Sequence, residues 1–364
     1  MIHNIYLTIA QIGYGYSSTV WLCHNIVTNK YVAIKIIKDV YFQQGLEEIQ
    51  IYRDLHKLNI RFAVNVLDSF EWEYSTKTFV CLVFQLLTPI GLLLNRTIKY
   101  KYGFGINNTK YITAQIIHCL MDLRKNKLCH LDIKPSNILI DTKIPYKGII
   151  SFYKKTHLGQ ISNVCDKLRC AYNNNDVEGL EKYSQEINSH FLFHVSLNFK
   201  DFDLTDFVYD NQEVYVADFG EMVHESILSE SVKCQTLYYR APEVLLKYKR
   251  TRNSDKWSLG CTIYEILTGD LLFPDREGIT CRHILQSIVE VVGPFPKKLI
   301  KKSPCSELFF TIHGNVKPRK KTVFRDICID EDYAPMILLV YKLLEYNHKK
   351  RCNYEELLET LADC

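Results

Sequence analysis

The hydrophobic pattern of this chain changes period part-way along, and that change limits the folds open to it. Residues 6–12, 19–24 and 31–37 are short runs rich in β-branched and aromatic residues, broken by Gly13, Gly15 and Thr28-Asn29. Such runs predict strands. Leu46, Ile49, Leu55 and Leu58 then recur at helical spacings, and two more strands fit residues 63–70 and 78–86. From Asn107 onward the period changes to a helical one. Ile112, Ile116, Leu120 and Leu123 share one face, with Asn107 or Asn108 as the N-cap. Further helices fit residues 255–267, 283–292, 334–345 and 354–361. The expectation is an α+β chain with a β-rich first lobe, 1–87, and a helical second lobe, 88–364. The 364 residues suffice for two lobes with real cores.

Residues 142–212 interrupt the second pattern. The stretch is polar and contains Asn173-Asn174-Asn175, yet Val177, Leu180, Tyr183, Ile187 and Phe191 would line one helix face. It reads as an insertion within the second lobe carrying one docking helix. Extending a connection from about five residues to about seventy costs only roughly 2–3 kcal/mol of closure entropy.

Lys plus Arg outnumber Asp plus Glu by 45 to 41, a net +4 that gives no argument for nucleic acid. The basic runs Lys297-Lys298, Lys301-Lys302 and 317–321 read as solvated faces. Thirteen cysteines without framework spacing, and no secretory signal, point to reduced thiols in a soluble intracellular protein. Cys165 and Cys170 read as single thiols rather than a redox pair. No apolar run reaches membrane-spanning length.

The stretch "CHLDIKPSNILI", residues 129–140, places Asp132, Lys134 and Asn137 directly before an apolar strand. Charges beside a core are costly unless they hold something. A hydroxyl attacking phosphorus needs alignment, charge neutralisation and a metal. Asp132 is placed to orient that hydroxyl and take its proton, a role worth about 10²–10⁴-fold. Lys134 would neutralise the transferring phosphate, Asn137 would offer an amide oxygen to Mg²⁺, and Pro135 stiffens the turn. Asp-x-Lys-x-x-Asn arises by composition in about one chain of this length in twenty, so the surrounding residues decide.

They agree. In "IGYGYSSTVWL" Gly13 and Gly15 sit between strands and let backbone approach a phosphate, with Val20 closing the pattern and Ser18 in the third glycine position. In "VAIKIIK" Lys35 lies in an apolar strand, where it would grip the α- and β-phosphates of ATP. It needs a carboxylate, supplied by Glu48 with Glu47 as the alternative. Three Asp-Phe pairs compete for the main metal ligand, at Asp201, Asp206 and Asp218. Only Asp218 is followed by glycine and preceded by a clean strand, so it is the choice. In "QTLYYRAPEVL" Glu243 would pair with Arg351, Thr236 would touch Asp132 and Lys134, and Asp255 would cap the loop around Asp132. Glu243, Asp255 and Arg351 hold shape and do not act on substrate.

Taken in order, these motifs resemble the eukaryotic protein kinase family from about Tyr6 to Leu361, with only 142–212 outside. The resemblance implies the bilobal protein kinase fold, ATP and Mg²⁺. It implies a nucleotide site of Ile12, Gly13, Gly15, Val20, Ala33, Lys35, Glu48, Phe84 and Leu87. Asp132 and Lys134 are then catalytic, and Asn137 and Asp218 bind the metal. Arg240 before Ala-Pro-Glu resembles the group that holds cyclin-dependent, MAP, LAMMER and SR-protein kinases. "GYGYSSTVWL", the hinge "LVFQLL", with Phe84 as gatekeeper and Leu87 contacting adenine, and the segment "GDLLFPDREG" to "HILQSIVEVVGPFPKKLI" look most like SR-protein kinases. So does the insertion's place. The LAMMER signature is absent near residues 281–292.

The implied function is a monomeric serine/threonine kinase acting on proteins, arginine-serine-rich splicing factors among them and hence mRNA processing. It would be cytoplasmic and also nuclear, and would bind neither membrane nor nucleic acid directly. Leu131 stands where many kinases carry an arginine that pairs with a phosphorylated loop, which implies activity without loop phosphorylation. Ser226, Ser229 and Ser231 leave a phosphosite open. Two departures bear on substrate. Asp-Phe-Gly replaces the Asp-Leu-Gly usual in SR-protein kinases. Arg276, Arg282, Lys297 and Lys298 also interrupt the acids Asp275, Glu277 and Glu290 that would steer a basic peptide. The alternatives are a LAMMER/Dyrk-type or proline-directed kinase, and a pseudokinase scaffold.

Overall fold

The computed structural model describes residues 1–96, 103–190, 195–196, 209, 212–228, 234–274, 280–317 and 331–363. The earlier half runs β1 (Tyr6–Tyr14), β2 (Ser18–Asn25), β3 (Lys30–Ile37), α1 (Phe42–Lys57), β4 (Val66–Tyr74), β5 (Lys77–Gln85), β6 (Thr88–Pro89), α2 (Ile90–Arg96), α3 (Ile106–Lys125), β7 (Leu128–Cys129) and β8 (Ile138–Ile140). Then come α4 (Lys147–Tyr153), α5 (Gly159–Asn173), α6 (Val177–His190), β9 (Val195–Ser196), β10 (Val214–Val216) and β11 (Val223–His224). Helices α7 (Pro242–Leu245), α8 (Ser254–Thr268), α9 (Cys281–Val292), α10 (Lys297–Lys302), α11 (Ser306–Phe309), α12 (Ala334–Leu343) and α13 (Tyr354–Asp363) complete the chain. The fold is α+β, as the change of period requires. No helix among the described residues is long and apolar enough to cross a membrane.

Two compact units form. One comprises Met1–Lys57, Val64–Thr88 and Asp141–Phe207; the other comprises Leu58–Ala63, Pro89–Ile140 and Val208–Cys364. The first is built on a sheet of spatial order β4-β5-β3-β2-β1-β9, antiparallel except where β9 joins β1 in parallel. Helix α1 buries Gly45, Glu48, Ile49, Tyr52 and Leu55 along one face, whereas Leu58 lies beyond its end and is exposed. A Cβ at Gly45 would stand 2.8 Å from Val80 Cβ on β5, so the missing side chain lets α1 lie this close to the sheet.

The 142–212 stretch was expected inside the helical lobe, but residues 142–190 pack into the strand-built unit through three helices, and only Tyr209 and Gln212 of its described residues belong to the helical unit. Buried Tyr153, Ile161, Cys165, Leu168 and Ile187 share one core with Ile5, Leu7, Ile9, Leu22 and Ile26 of the β1–β2 hairpin and its flanks. Polar contacts fix the docking. The Nδ1 of buried His24 lies 2.9 Å from the Tyr153 hydroxyl, and its Nε2 lies 2.9 Å from Asn29 Oδ1. Arg169 donates to the Ile26 carbonyl at 2.6 Å, and Ser184 donates to Asn4 Oδ1 at 3.0 Å. The physical reason is the Ile161, Cys165, Leu168 stripe, spaced four and three residues apart on α5, which meets a sheet face rich in isoleucine and leucine. Leu180, Tyr183 and Ile187 of α6 follow the expected face, Val177 is exposed, and Phe191 lies outside the described residues. Cys165 is buried, Cys170 is exposed, and both are free thiols.

In the second unit α3 buries Ile112, Ile116, Leu120 and Leu123. It starts two or three residues earlier than expected: Gly105 occupies the N-cap, and the Asn108 side chain donates to the Phe104 carbonyl instead. Helix α8 is buried along nearly its whole length, Ser254 to Leu267, and α12 covers it with Met336, Leu339, Val340 and Leu343. A helix buried on all faces tolerates polar groups only when they are paired, and α8 carries Asp255, Lys256 and Glu265 at positions that hold other elements.

Candidate active site

In the strand-built unit, β1 and β2 form a hairpin with Gly13 opposite Val20. A Cβ on Gly13 would meet Val20 Cβ at 3.1 Å, so glycine permits the close register there. The tip closes with the Gly15 N–H donating to the Ser18 carbonyl at 2.8 Å, and Ser18 in the third glycine position is buried. Lys38 pins this tip: its ammonium donates to the Tyr16 carbonyl at 2.6 Å, and its backbone N–H donates to Ser17 at 2.9 Å. Lys35 lies on β3 opposite Val20 of β2 and Leu82 of β5. Its ammonium reaches Glu48 Oε1 at 2.7 Å and Oε2 at 3.0 Å. Glu47, the alternative partner, points outward.

Ala33 is buried beside Phe84, its cross-strand neighbour on β5, and Phe84 stands edge-on to Tyr52 of α1. Ile12 is partly buried on β1. Leu87 is buried, and its carbonyl accepts from the Tyr146 hydroxyl at 3.2 Å. Thr88 donates to the Thr142 carbonyl at 2.7 Å, and Gln85 donates to Asp141 at 2.9 Å. The start of the insertion is thus tied to the residues around Leu87.

In the helical unit, β8 and β10 pair antiparallel, Ile138 opposite Val216. The pairing puts the start of one strand beside the end of the other, and the Ala217 N–H donates to the Asn137 carbonyl at 2.9 Å. Asn137 and Asp218 are therefore carried to the same end of the ribbon. Asp218 adopts a left-handed backbone, φ 63° and ψ 69°.

Asp132 is 8% exposed. Its Oδ1 accepts from Thr236 N at 3.0 Å and Thr236 Oγ1 at 2.8 Å. Its Oδ2 accepts from Lys134 Nζ at 2.6 Å and Asn137 Nδ2 at 3.1 Å. Lys134 also donates to Thr236 Oγ1 at 2.8 Å. Four donors fix the plane of this carboxylate. The amide nitrogen of Asn137 faces Asp132, which turns Oδ1 the other way.

The supports behave as the sequence predicts. Asp255 accepts from Leu131 N at 2.7 Å and His130 N at 2.9 Å. Leu131 is buried with φ 63°, a strained conformation for a branched side chain, and Asp255 secures it. Burial raises the Asp255 pKa to about 6, while those two N–H donors pull it down. Glu243 and Arg351 form a fully buried pair with two hydrogen bonds of 2.8 and 2.7 Å. Burial pushes the Glu243 carboxyl up most strongly, but the Arg351 charge together with the hydrogen bonds from Arg351 and Ser254 outweighs it, and the pKa ends below the usual range.

Residues 6–156 and 181–361 match the protein kinase domain family. The chain belongs to the protein kinase family. The match passes over residues 157–180, the heart of the docked insertion. This kinase is 27% identical over 378 residues to the serine/threonine-protein kinase SRPK of Physarum polycephalum, covering 97% of the present chain and 84% of that protein. It is 24% identical over 347 residues to the dual specificity protein kinase CLK4 of Homo sapiens, spanning 90% of the chain and 60% of that protein. The dual specificity tyrosine-phosphorylation-regulated kinase 3 of Mus musculus is 25% identical over 312 residues, 85% of the chain and 41% of that protein. The kinase is thus similar to SR-protein, CLK and Dyrk-type enzymes, and its class is that of the serine/threonine kinases.

Three supporting residues escaped the sequence reading. His130 is buried, accepts from the Asp132 N–H through Nδ1 at 3.1 Å and donates from Nε2 to the Ala217 carbonyl at 3.2 Å. It joins the two loops that carry Asp132 and Asp218, and burial keeps it neutral. Gln235 donates to Ser258 Oγ at 2.8 Å and accepts from the Ala241 N–H at 3.0 Å. Lys38, the third, holds the hairpin tip through backbone carbonyls. A histidine two residues before Asp132 was the one available signal. Asp201, Asp206, Ser229, Ser231, Asp275, Arg276, Glu277 and residues 318–321 lie outside the described residues.

Proposed function

We propose that this kinase transfers the γ-phosphate of ATP to serine or threonine hydroxyls of proteins in the manner of SR-protein kinases, arginine-serine-rich splicing factors being the substrate class. The observation that carries the reading is the fixed carboxylate of Asp132, held by Thr236, Lys134 and Asn137. Asp132 orients the acceptor hydroxyl and takes its proton as the oxygen attacks phosphorus. Lys134 balances charge on the phosphate in flight. Asn137 Oδ1 and Asp218 are one neutral and one charged oxygen donor, a set that suits Mg²⁺, which otherwise fills its shell with phosphate oxygens and water. When bound, the metal neutralises the triphosphate.

Lys35 grips the α- and β-phosphates and is kept extended by Glu48. Gly13 and Gly15 bring backbone over the phosphates. Ile12, Val20 and Ala33 sandwich adenine, Phe84 limits the depth of its pocket, and Leu87 supplies the backbone contact. The enzyme is active without loop phosphorylation, because buried Leu131 offers no cation to a phosphorylated loop. It works as a monomer in the cytoplasm and the nucleus.

The test is a positional peptide library with radiolabelled ATP and Mg²⁺. Arginine-serine peptides outrunning serine-proline peptides supports the reading. Preference for serine-proline moves the enzyme to the proline-directed group, and label in neither overturns it. Activity that collapses after phosphatase treatment overturns the claim about Leu131.

A further inference from the structure

A cavity of about 1110 Å³ lies wholly within the helical unit. Residues from the end of α3, from β11 and its sequel, from the loop before α8, and from the loop before α13 line it. None of Asp132, Lys134, Asn137 or Asp218 is among them. Its composition is lopsided: nine of the lining residues are lysine or arginine, and only Glu225 and Glu356 are acidic. Glu243 satisfies Arg351, Glu225 reaches Arg252 at a loose 3.4 Å, and buried Arg250 has a partner of its own, so these three do not count toward the excess. That leaves a strong excess of positive charge in a concave surface, where low-dielectric walls concentrate the field.

Such crowding costs energy, and the cost is visible. Lys256 has its pKa lowered to about 8 by burial, with Arg124 and Arg351 adding repulsion. Three atoms of lining residues are buried without a hydrogen-bond partner, the ring atom His348 Nδ1, the amide oxygen Asn253 Oδ1 and the guanidinium donor Arg124 Nη1. A buried guanidinium N–H left unpaired is expensive, and an anion would relieve both the repulsion and the unmet donor. The shape and chemistry narrow the choice. One phosphate touches only a few side chains, too few to engage cations spread over this volume. Nucleobases and lipid tails need apolar surface, and the lining offers only Leu228 and Cys352.

We propose that this cavity binds clustered phosphates, carried by a small polyanion such as a polyphosphorylated cyclitol or by a polyphosphoinositide headgroup. Arg124 and Lys256 sit inside with His348, while Lys349, Lys350 and Lys127 stand exposed and draw the ligand in. Ser226 and Glu225, also on the lining, belong to the segment that follows Asp218. Occupancy therefore fixes the position of that segment through the Arg252 side.

The test uses the full chain with inositol hexakisphosphate in isothermal titration at about 0.15 M salt, beside the variant Lys249→Gln/Lys349→Gln/Lys350→Gln. The expected result is saturable binding by the unaltered protein, weakened roughly tenfold or more in the variant, with equal kinase activity and equal melting temperature for the two proteins without ligand. Binding to vesicles containing phosphatidylinositol bisphosphate, lost in the same variant, with weak binding of the soluble cyclitol, assigns the phosphates to a headgroup. The inference is overturned by no saturable binding in either arm, by equal affinity of the variant, or by displacement with equimolar sulfate. A single-stranded RNA that binds where both phosphate probes fail also overturns it. Kinase activity is read separately, so failure here leaves the catalytic reading standing.

Discussion

Replacing Leu168 by alanine tests whether the insertion is an integral part of the strand-built unit. Leu168 is 0% exposed and lies in one core with Leu7, Ile9, Leu22 and Ile26. The substitution removes three carbons, worth about 0.8 kcal/mol per methylene, or roughly 2.4 kcal/mol of transfer free energy. A cavity left in a packed core adds to this, so the expected loss is about 2–5 kcal/mol. The neighbouring Asn163→Ala, at an exposed position on the same helix, should stay within about 0.5 kcal/mol. Hydrogen exchange read on β1 and β2 is the appropriate assay, because those strands share the core without belonging to the insertion. A loss of 2.4 kcal/mol speeds their global opening by about sixtyfold. If Leu168→Ala leaves β1 and β2 exchange as slow as Asn163→Ala does, the insertion is a loose spacer and the packing argument fails.

Gly45→Ala should destabilise the protein by about 1–3 kcal/mol despite the helix propensity gained, since the new Cβ meets Val80 Cβ at 2.8 Å. It should also loosen Glu48 from Lys35, so turnover in steady-state kinetics should fall along with the urea midpoint. Lys38→Met frees the hairpin tip, so the ATP KM should rise by roughly three- to tenfold with kcat nearly unchanged, in steady-state kinetics. Glu265 has its pKa raised from 4.5 to about 7 by burial. Its contribution to stability is full below 4.5 and is lost as pH rises through 7, because the native state holds the extra proton between those values. Glu265→Gln mimics the protonated form, so urea midpoints of the two proteins should agree near pH 5, and the variant should gain about 1–3 kcal/mol on the parent by pH 8.

Where residues act through local order, the sequence was readable. The change of hydrophobic period predicts the strand-built and helical parts, since period 2 and period 3.6 stripes cannot serve each other's geometry. The Asp132 cluster was readable for a similar reason: Asp132, Lys134 and Asn137 sit within one short turn, and their hydrogen bonds follow from that spacing. Glu243 and Arg351 are 108 residues apart, yet a buried carboxylate demands a cation, and the match to kinase motifs supplied its position. The insertion was misplaced because its docking stripe on α5, Ile161-Cys165-Leu168, is short and diluted by polar neighbours. Nothing local indicates which face it covers. Lys38 was missed because its partners are backbone carbonyls, which leave no mark on the sequence.

The most direct test of the central claim is phosphate incorporation by the parent and by Asp132→Asn, measured with radiolabelled ATP, Mg²⁺ and an arginine-serine peptide. The asparagine keeps the shape of the Thr236 and Lys134 contacts but cannot accept the proton. The account predicts label on serine for the parent and a rate lower by about 10²–10⁴-fold for the variant, with nucleotide binding retained. Equal rates, or a parent that binds nucleotide yet labels no hydroxyl, would contradict it.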